Sequence, residues 1–138
     1  MTMKPYVVVV DDDPDDAEML AEMFRQRHLE VTIHSFFDSQ GALGFLESRG
    51  AEDMPVLLVT DYQLPTLNGA QFLELLQRDK RYDAISKVVL STSGNPAHAD
   101  ECMKNGAKKY LVKPTDVVQL EAIVGYLSVL FLEKTRLG

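Results

Sequence analysis

The chain has 138 residues, of which 46% are hydrophobic and 25% are charged. This length suits one domain with its own core, and this composition argues against a disordered chain. Lys and Arg number 14 and Asp and Glu number 21, so the formal net charge is −7. That balance argues against nucleic acid as a direct partner, because phosphate binding needs clustered basic side chains.

Location follows from what the sequence lacks. No apolar run approaches the roughly 18 residues that cross a bilayer, and the first ten residues lack the apolar core and cleavage site of a signal peptide. The single cysteine, Cys102, excludes a disulfide framework and a cysteine-based metal site. We therefore expect a cytoplasmic protein that forms one domain over residues 1–138, with no membrane contact and no separate output domain.

Short apolar runs alternate along the chain with segments of helical periodicity. The runs are typical of buried strands and lie at residues 6–10, 31–36, 56–60, 87–90 and 110–112. The segments between and after them carry apolar residues at three- and four-residue spacing, and the last extends from about 116 to 134. This alternation predicts an α/β fold: a doubly wound, five-stranded parallel sheet with five helices.

Capping signals mark where several helices begin and end. Asp13-Pro14 and Asn95-Pro96 each offer an N-cap followed by proline, whose missing N–H costs nothing in the first helical turn. Gly106 is a typical residue after a helix. The second helical segment is weaker, because Gly41 and Gly44 lower its helix propensity.

Polar side chains gather where the predicted strands end. Parallel sheets bind ligands at the carboxyl ends of their strands, near the point where the strand order reverses. The residues at those ends are Asp11, Asp12, Asp61, Ser91 and Lys113. Carboxylates that lie close together repel unless a cation neutralises them, and carboxylate oxygens suit Mg²⁺. A carboxylate beside such an ion can attack a phosphoryl group, with a lysine neutralising the charge on the transferred oxygens.

The other aspartates near the first strand have a simpler explanation. Asp13 is suited to cap the helix, and Asp15 and Asp16 in its first turn complement the helix dipole. Asp11 and Asp12 precede that cap, so a helix does not account for them.

Four sequence segments resemble the response-regulator receiver (CheY-like) family. They are residues 10–14 (VDDDP), 61–69 (DYQLPTLNG), 91–93 (STS) and 106–114 (GAKKYLVKP). Each segment is weak by itself, but their order and separation match the family over nearly the whole chain. The resemblance is strongest to small, single-domain regulators, and it implies the flavodoxin-like (CheY-like) form of the predicted α/β fold.

The resemblance implies a role for each residue at the strand ends. Asp61 is expected to accept a phosphoryl group from a sensor histidine kinase or a phosphotransfer protein. Asp12 would bind Mg²⁺ directly and Asp11 through water, while Asp61 and the backbone carbonyl of Gln63 would complete the protein's share of the coordination. Lys113 would contact the phosphoryl oxygens.

The family also implies a switch that follows phosphorylation. Ser91 would hydrogen-bond the phosphoryl group, and Tyr110 would rotate and carry the change to the surface. The Lys113-Pro114 bond is expected to be cis. Position 92 is usually occupied by a very small residue, whereas here it is Thr92, which predicts a longer-lived phosphorylated form. At Gly69 we expect either a positive φ or a close backbone contact.

The last helical segment suggests where the signal leaves. Leu120, Ile123, Val124, Leu127 and Phe131 form one apolar face at about 100° per residue, and Val118, Ala122, Val129 and Leu132 lie roughly opposite. A helix that is apolar on both sides is either deeply buried or binds a partner. We expect a homodimer or partner contact through this helix and the fifth strand, the alternative being packing within the chain.

Two other classes of protein share parts of this pattern. A Mg²⁺-dependent phosphatase with an aspartyl nucleophile would carry a second catalytic carboxylate at position 63, where this chain has Gln63. A flavin or nucleotide binder would need a phosphate-binding loop after the first strand, where a run of aspartates would repel phosphate. The expected protein is therefore a phosphoacceptor that signals, and not an enzyme that turns over a separate substrate.

Overall fold

The computed structural model describes the backbone of residues 4–136 and the side chains of residues 4–135. Five strands alternate with five helices. The strands are β1 (Tyr6–Val10), β2 (Thr32–Phe36), β3 (Leu57–Thr60), β4 (Ser86–Ser91) and β5 (Lys109–Val112). The helices are α1 (Pro14–Arg27), α2 (Ser39–Glu47), α3 (Gly69–Gln77), α4 (Pro96–Lys104) and α5 (Val117–Arg136).

All five strands are parallel and form one sheet in the order β2-β1-β3-β4-β5. The strand order reverses at β1, which lies between β2 and β3, so the carboxyl ends of β1 and β3 flank the switch point. The predicted doubly wound α/β fold is confirmed.

Each face of the sheet is covered by its own helices. On one face, Val8, Val10, Leu58 and Val89 pack against side chains of α2, α3 and α4, among them the fully buried Phe72. On the other face, Val7, Val9, Leu57 and Val88 pack against α1 and α5. Successive residues of β1 and β3 point to opposite faces, and both faces are buried. That burial explains why their sequences are continuously apolar.

Side-chain caps fix the helix starts that frame the sheet edge. Asp13 caps α1 by accepting hydrogen bonds from the backbone N–H groups of Asp15 and Asp16. Asn68 and Gln71 form a reciprocal capping box at the start of α3. The two predicted proline starts, at α1 and α4, are therefore confirmed, and Gly106 follows α4 with a φ of +99°.

The structure differs from the sequence prediction in a few places. A short 3-10 helix at Lys80–Tyr82, which we did not predict, precedes β4. Helix α2 forms despite its glycines, because Asp38 caps it and its apolar face is buried. The expected cis bond at Lys113-Pro114 is wrong: the bond is trans, the form that X–Pro bonds favour in general. Within residues 4–136, no helix combines the length and apolar character that a bilayer crossing requires.

Candidate functional site

The carboxyl ends of four strands bring the predicted residues to one edge of the sheet. Asp11 follows β1 and Asp61 follows β3, and both carboxylates are more than nine-tenths buried. Carboxylate oxygens of Asp11, Asp12 and Asp61 all lie within 4.8 Å of one another. Strand pairing explains this closeness, because Val10 lies beside Thr60 in the register of β1 and β3. The sequence prediction of an acidic cluster is thus matched by the positions of these three residues.

Lys113 places its ammonium group among these acids. Its Nζ lies 2.8 Å from Asp11 Oδ2 and 3.1 Å from Asp61 Oδ2, and its side chain is only 11% exposed. The lysine is held in place from its backbone, whose N–H donates to the Ser91 carbonyl at 2.7 Å where β4 and β5 end. The predicted partner of Asp61 is therefore in direct contact with it.

The charges at this edge do not balance. Burial tends to lower the pKa of Lys113, but hydrogen bonds from its ammonium to Asp11 and Asp16, together with the charge of Asp61, raise it above its usual value. Burial raises the pKa of the Asp11 carboxyl, and the neighbouring lysine only partly opposes that rise. One ammonium cannot neutralise three clustered carboxylates, so the site retains excess negative charge. This excess, on hard oxygen donors, fits a divalent cation such as Mg²⁺.

Backbone hydrogen bonds in the loop after β3 fix the position of Asp61. Asp61 Oδ1 accepts a hydrogen bond from the Gln63 N–H at 3.2 Å, and the Gly69 N–H donates to the Tyr62 carbonyl at 2.7 Å. Thr66 has a φ of +69°, and the Leu67 N–H donates to the Pro65 carbonyl across it, so these three residues form a strained γ-turn.

Gly69 serves this loop through close approach and not through a positive φ. A Cβ atom at position 69 would lie 2.6 Å from the Asp61 carbonyl oxygen and 2.9 Å from the Tyr62 Cα. The second of our two sequence readings of this glycine is therefore the correct one. Any larger residue would push against the backbone that carries the acid.

Ser91 and Tyr110 meet through the loop that follows β4. Ser91 is fully buried, and its hydroxyl accepts a hydrogen bond from the Ser93 N–H at 3.2 Å. The hydroxyl of the half-buried Tyr110 donates to the Ser93 carbonyl at 2.7 Å. The two residues that the family resemblance assigns to a switch are thus linked by one intervening residue, Ser93.

Tyr62, in the loop after β3, contacts α4 in a way that the sequence did not predict. The rings of Tyr62 and His98 stack with 4.0 Å between centroids and 11° between planes. The Nδ1 atom of His98 also lies 2.7 Å from the Ser93 hydroxyl, and Tyr62 donates to Glu101 at 3.3 Å. The residue after Asp61 is therefore bound to α4. No sequence spacing signals this pair, because the two residues belong to different elements.

Asp16 is another residue of this edge whose contact sequence reasoning missed. We assigned it to the helix dipole, yet its Oδ2 lies 2.9 Å from Lys113 Nζ. Asp13 and Asp15 keep the predicted helical explanation, since Asp13 is the N-cap and Asp15 lies in the first turn. A helical wheel could have shown that Asp16 lies on the same side of α1 as Leu20, which is buried, although it could not have shown the lysine.

The remaining predicted positions border the site. Thr92 is exposed, and its hydroxyl lies 3.4 Å from the side-chain oxygen of Gln63, the residue whose N–H binds Asp61. A cavity of about 210 Å³ opens on the other side, between α1 and the segment after β5, and Asp11, Asp16 and Lys113 line part of it. One side of the acidic cluster therefore borders a cavity that solvent can reach.

Known proteins share both the sequence and the fold. The family model of the response regulator receiver domain matches residues 7–125. The two-component response regulator ORR11 of Oryza sativa subsp. indica is 30% identical over 110 residues, which cover 80% of this chain and 71% of that protein. The two-component response regulator ORR8 of the same subspecies is 29% identical over 124 residues, covering 89% and 98%.

Solved structures agree on the fold. The phosphorylated cyanobacterial phytochrome response regulator RcpA superposes with a TM-score of 0.83 at 24% identity, covering 94% of this chain and 95% of that one. The Mn²⁺-bound form of response regulator Rcp1 gives a TM-score of 0.78 at 22% identity, covering 89% and 91%. With a family model that matches most of its length, and relatives named as two-component response regulators, the chain belongs to the response regulator receiver domain family.

Proposed function

We propose that this protein is a phosphorylation switch in which Asp61 accepts a phosphoryl group in the presence of Mg²⁺. The observation that carries the proposal is the contact between Lys113 Nζ and Asp61 Oδ2, at 3.1 Å, beside two further carboxylates. The reacting group belongs to the protein itself. The protein is then a signalling domain that promotes its own phosphorylation and dephosphorylation, and not an enzyme with a separate substrate.

The chemistry is a transfer from a phosphorylated donor to the carboxylate of Asp61. A carboxylate oxygen attacks the phosphorus, the bond between phosphorus and the donor's nitrogen or oxygen breaks, and its electron pair leaves with the donor. The product is an acyl phosphate on Asp61. Lys113 stabilises the charge that spreads over the phosphoryl oxygens, and the Gln63 N–H keeps the carboxylate oriented.

Asp11, Asp12 and Asp61 would hold the Mg²⁺, together with the Gln63 carbonyl. When bound, the ion neutralises negative charge on the acids and on the transferring group. The excess negative charge of the site supports this assignment, as does the existence of a Mn²⁺-bound form of Rcp1, which has a similar fold.

Incubation with Mg²⁺ and acetyl phosphate, followed by intact mass spectrometry, tests the proposal. We expect one phosphoryl adduct, lost in Asp61→Asn and retained in Asp15→Asn, which removes the same charge from an exposed residue of α1. An adduct that persists in Asp61→Asn would contradict the assignment of the acceptor. Repeated turnover of a phosphoester without an adduct would instead support a phosphatase.

Ser91 and Tyr110 are the proposed route by which phosphorylation reaches the surface. The Ser91 hydroxyl would turn toward a phosphoryl oxygen. It would then lose the hydrogen bond that it accepts from the Ser93 N–H. The Ser93 carbonyl accepts a hydrogen bond from the Tyr110 hydroxyl, so a shift of Ser93 would free Tyr110 to rotate. Amide chemical shifts of Ser93 and Tyr110, compared before and after addition of beryllofluoride, would test this route. Unchanged shifts at both residues would contradict it.

The proposed partners are a histidine kinase or phosphotransfer protein as donor and a second copy of this chain as an output contact. Exposed apolar side chains on α5 and β5 support the second of these. Val118 is 76% exposed, and Val112 and Val129 are both more than half exposed. Sedimentation of the wild type and of Val118→Glu, each with and without beryllofluoride, tests it. We expect a dimer that the substitution weakens, and a monomer under all conditions would contradict the contact.

A further inference from the structure

The ammonium of Lys113 has a third carboxylate partner that lies outside the acidic cluster. Asp16 Oδ2 is 2.9 Å from Nζ, compared with 2.8 Å for Asp11 and 3.1 Å for Asp61. We propose that Asp16 is a positioning residue, which gives Lys113 a partner of its own so that a divalent cation can take over the oxygens of Asp11 and Asp61. This inference rests on the proposed function, since it concerns the same Mg²⁺ site.

The hydrogen-bond capacity of the ammonium supports this role. A lysine ammonium has three N–H donors and no acceptor. Here three carboxylates surround it, one from each of Asp11, Asp16 and Asp61. Without Asp16, two partners would remain, and both belong to the group of acids that could hold a metal.

Lys113 and a bound cation would compete for the carboxylate oxygens of Asp11 and Asp61. The Oδ2 atoms of Asp11 and Asp61 each contact Lys113, and the same two residues offer oxygens to a cation. A cation that draws these oxygens away leaves the ammonium partly buried with fewer partners, which costs free energy. Asp16 reduces that cost, because its carboxylate stays with the lysine.

The geometry of α1 makes Asp16 suitable for this task. Asp16 lies in the first turn, three residues after the Asp13 cap, and its N–H donates a hydrogen bond to the Asp13 carboxylate. Its side chain is 45% exposed, so it loses little hydration when it pairs. Asp15 is its neighbour in the same turn and carries the same charge, and no ion pair of Asp15 occurs among the described residues. Asp15 is therefore a matched control.

The first experiment compares Mg²⁺ affinities of the unphosphorylated full chain. Mg²⁺ is titrated in 0.15 M salt, and amide chemical shifts of Asp12 and Gln63 report binding. We expect Asp16→Asn to weaken Mg²⁺ binding about three- to fivefold, because Lys113 then competes harder for Asp11 and Asp61. Asp15→Asn should change it by less than about twofold, since salt screens an exposed charge that does not pair with Lys113. Equal effects of the two substitutions would overturn the proposal.

A double-mutant cycle shows whether Asp16 acts through Lys113. The Lys113→Gln variant has no ammonium for Asp16 to bind. In that background, Asp16→Asn should change the Mg²⁺ affinity no more than Asp15→Asn does. An undiminished effect of Asp16→Asn in that background would overturn the proposal, because it would mean that Asp16 acts on the ion by charge alone. Thermal unfolding of every variant identifies any that is not folded at the titration temperature.

A conservative substitution of Asp16 tests the role of its carboxylate even if Lys113→Gln does not fold. Asp16→Glu retains the carboxylate and should restore Mg²⁺ affinity to within about twofold of the wild type, because Glu also pairs with a flexible lysine. Failure of this rescue would contradict the role. The readout is metal affinity and not phosphorylation. If the wild type binds Mg²⁺ but takes no phosphoryl group, the proposed function fails while the role of Asp16 is still decided by the titration.

Discussion

Gly69→Ala should destabilise the protein and disturb the phosphoacceptor loop together. Gly69 is the first residue of α3, and a Cβ there would lie 2.6 Å from the Asp61 carbonyl oxygen and 2.9 Å from the Tyr62 Cα. Ordinary contacts of a Cβ begin near 3.4 Å. Both obstructing atoms belong to the backbone, so no side-chain rotation relieves the overlap.

The expected cost follows from that overlap. The backbone after β3 must move by several tenths of an ångström, and overpacking of this kind costs about 1–3 kcal/mol. With a loss of about 2 kcal/mol, the melting temperature of a chain of this size should fall by about 8 °C. The hydrogen bond from the Gly69 N–H to the Tyr62 carbonyl would also be strained, which carries the disturbance toward Asp61.

Gly44→Ala is the matched control for this prediction. Gly44 lies within α2, and a Cβ there would have no atom within 4 Å. Alanine has a higher helix propensity, so this variant should gain about 0.5–1 kcal/mol.

Urea unfolding followed by far-ultraviolet circular dichroism measures both variants, and an unchanged m value shows that the comparison is valid. A free energy of unfolding for Gly69→Ala within about 0.5 kcal/mol of the wild-type value would refute this prediction. Mg²⁺ titration of the same protein then tests the link to the site. We expect weaker binding in Gly69→Ala and wild-type binding in Gly44→Ala.

Three further measurements probe other parts of the molecule. Thr66→Gly should stabilise the protein by about 1 kcal/mol, because Thr66 has a φ of +69° and glycine adopts that region without strain; lower stability in urea would contradict this. Thr92→Ala should speed loss of the phosphoryl group about fivefold, a change of about 1 kcal/mol in barrier, because Thr92 contacts Gln63, whose N–H binds Asp61, and a smaller residue there would leave more room for water; an unchanged rate in a mass-spectrometric time course would refute it. Burial lowers the pKa of His28 and His34, with the charges of Arg27 and Arg49 adding to the effect, so the folded state favours the neutral rings. Their contribution to stability is complete above the unfolded pKa of about 6.5 and is lost as the pH falls from there through the folded values. Unfolding in urea should therefore become easier between pH 7.5 and 5.5, and less so in His34→Phe, whereas equal pH slopes would contradict the assignment.

The sequence predicts most of the fold because the strands and helices carry clear local signals. Val7, Val8, Val9 and Val10 are apolar on both sides of β1, as a strand covered by helices on both faces must be. The start of α1 at Asp13-Pro14 is equally local. The short 3-10 helix at Lys80–Tyr82 was missed, since a single turn has no periodicity to detect.

The candidate site was predictable only in part, because its contacts join distant residues. Strand ends and the order of motifs indicate Asp11, Asp61 and Lys113. The pairing of Lys113 with Asp16 joins the first turn of α1 to the residue after β5, and the stack of Tyr62 on His98 joins the loop after β3 to α4. Such relations between elements are set by tertiary packing, which no local pattern in the sequence records.

The long-range ion pairs of Lys113 also bear on how the chain folds. Lys113 is separated from Asp61 by 52 residues and from Asp16 by 97. In the absence of a divalent cation, any partly folded state that pairs β1 with β3 before β5 joins the sheet would bring Asp11, Asp12 and Asp61 together without the ammonium of Lys113. Such a state is disfavoured by repulsion, and docking of the edge strand β5 relieves it. The charges of the site thereby link the edge of the sheet to its centre and favour all-or-none folding.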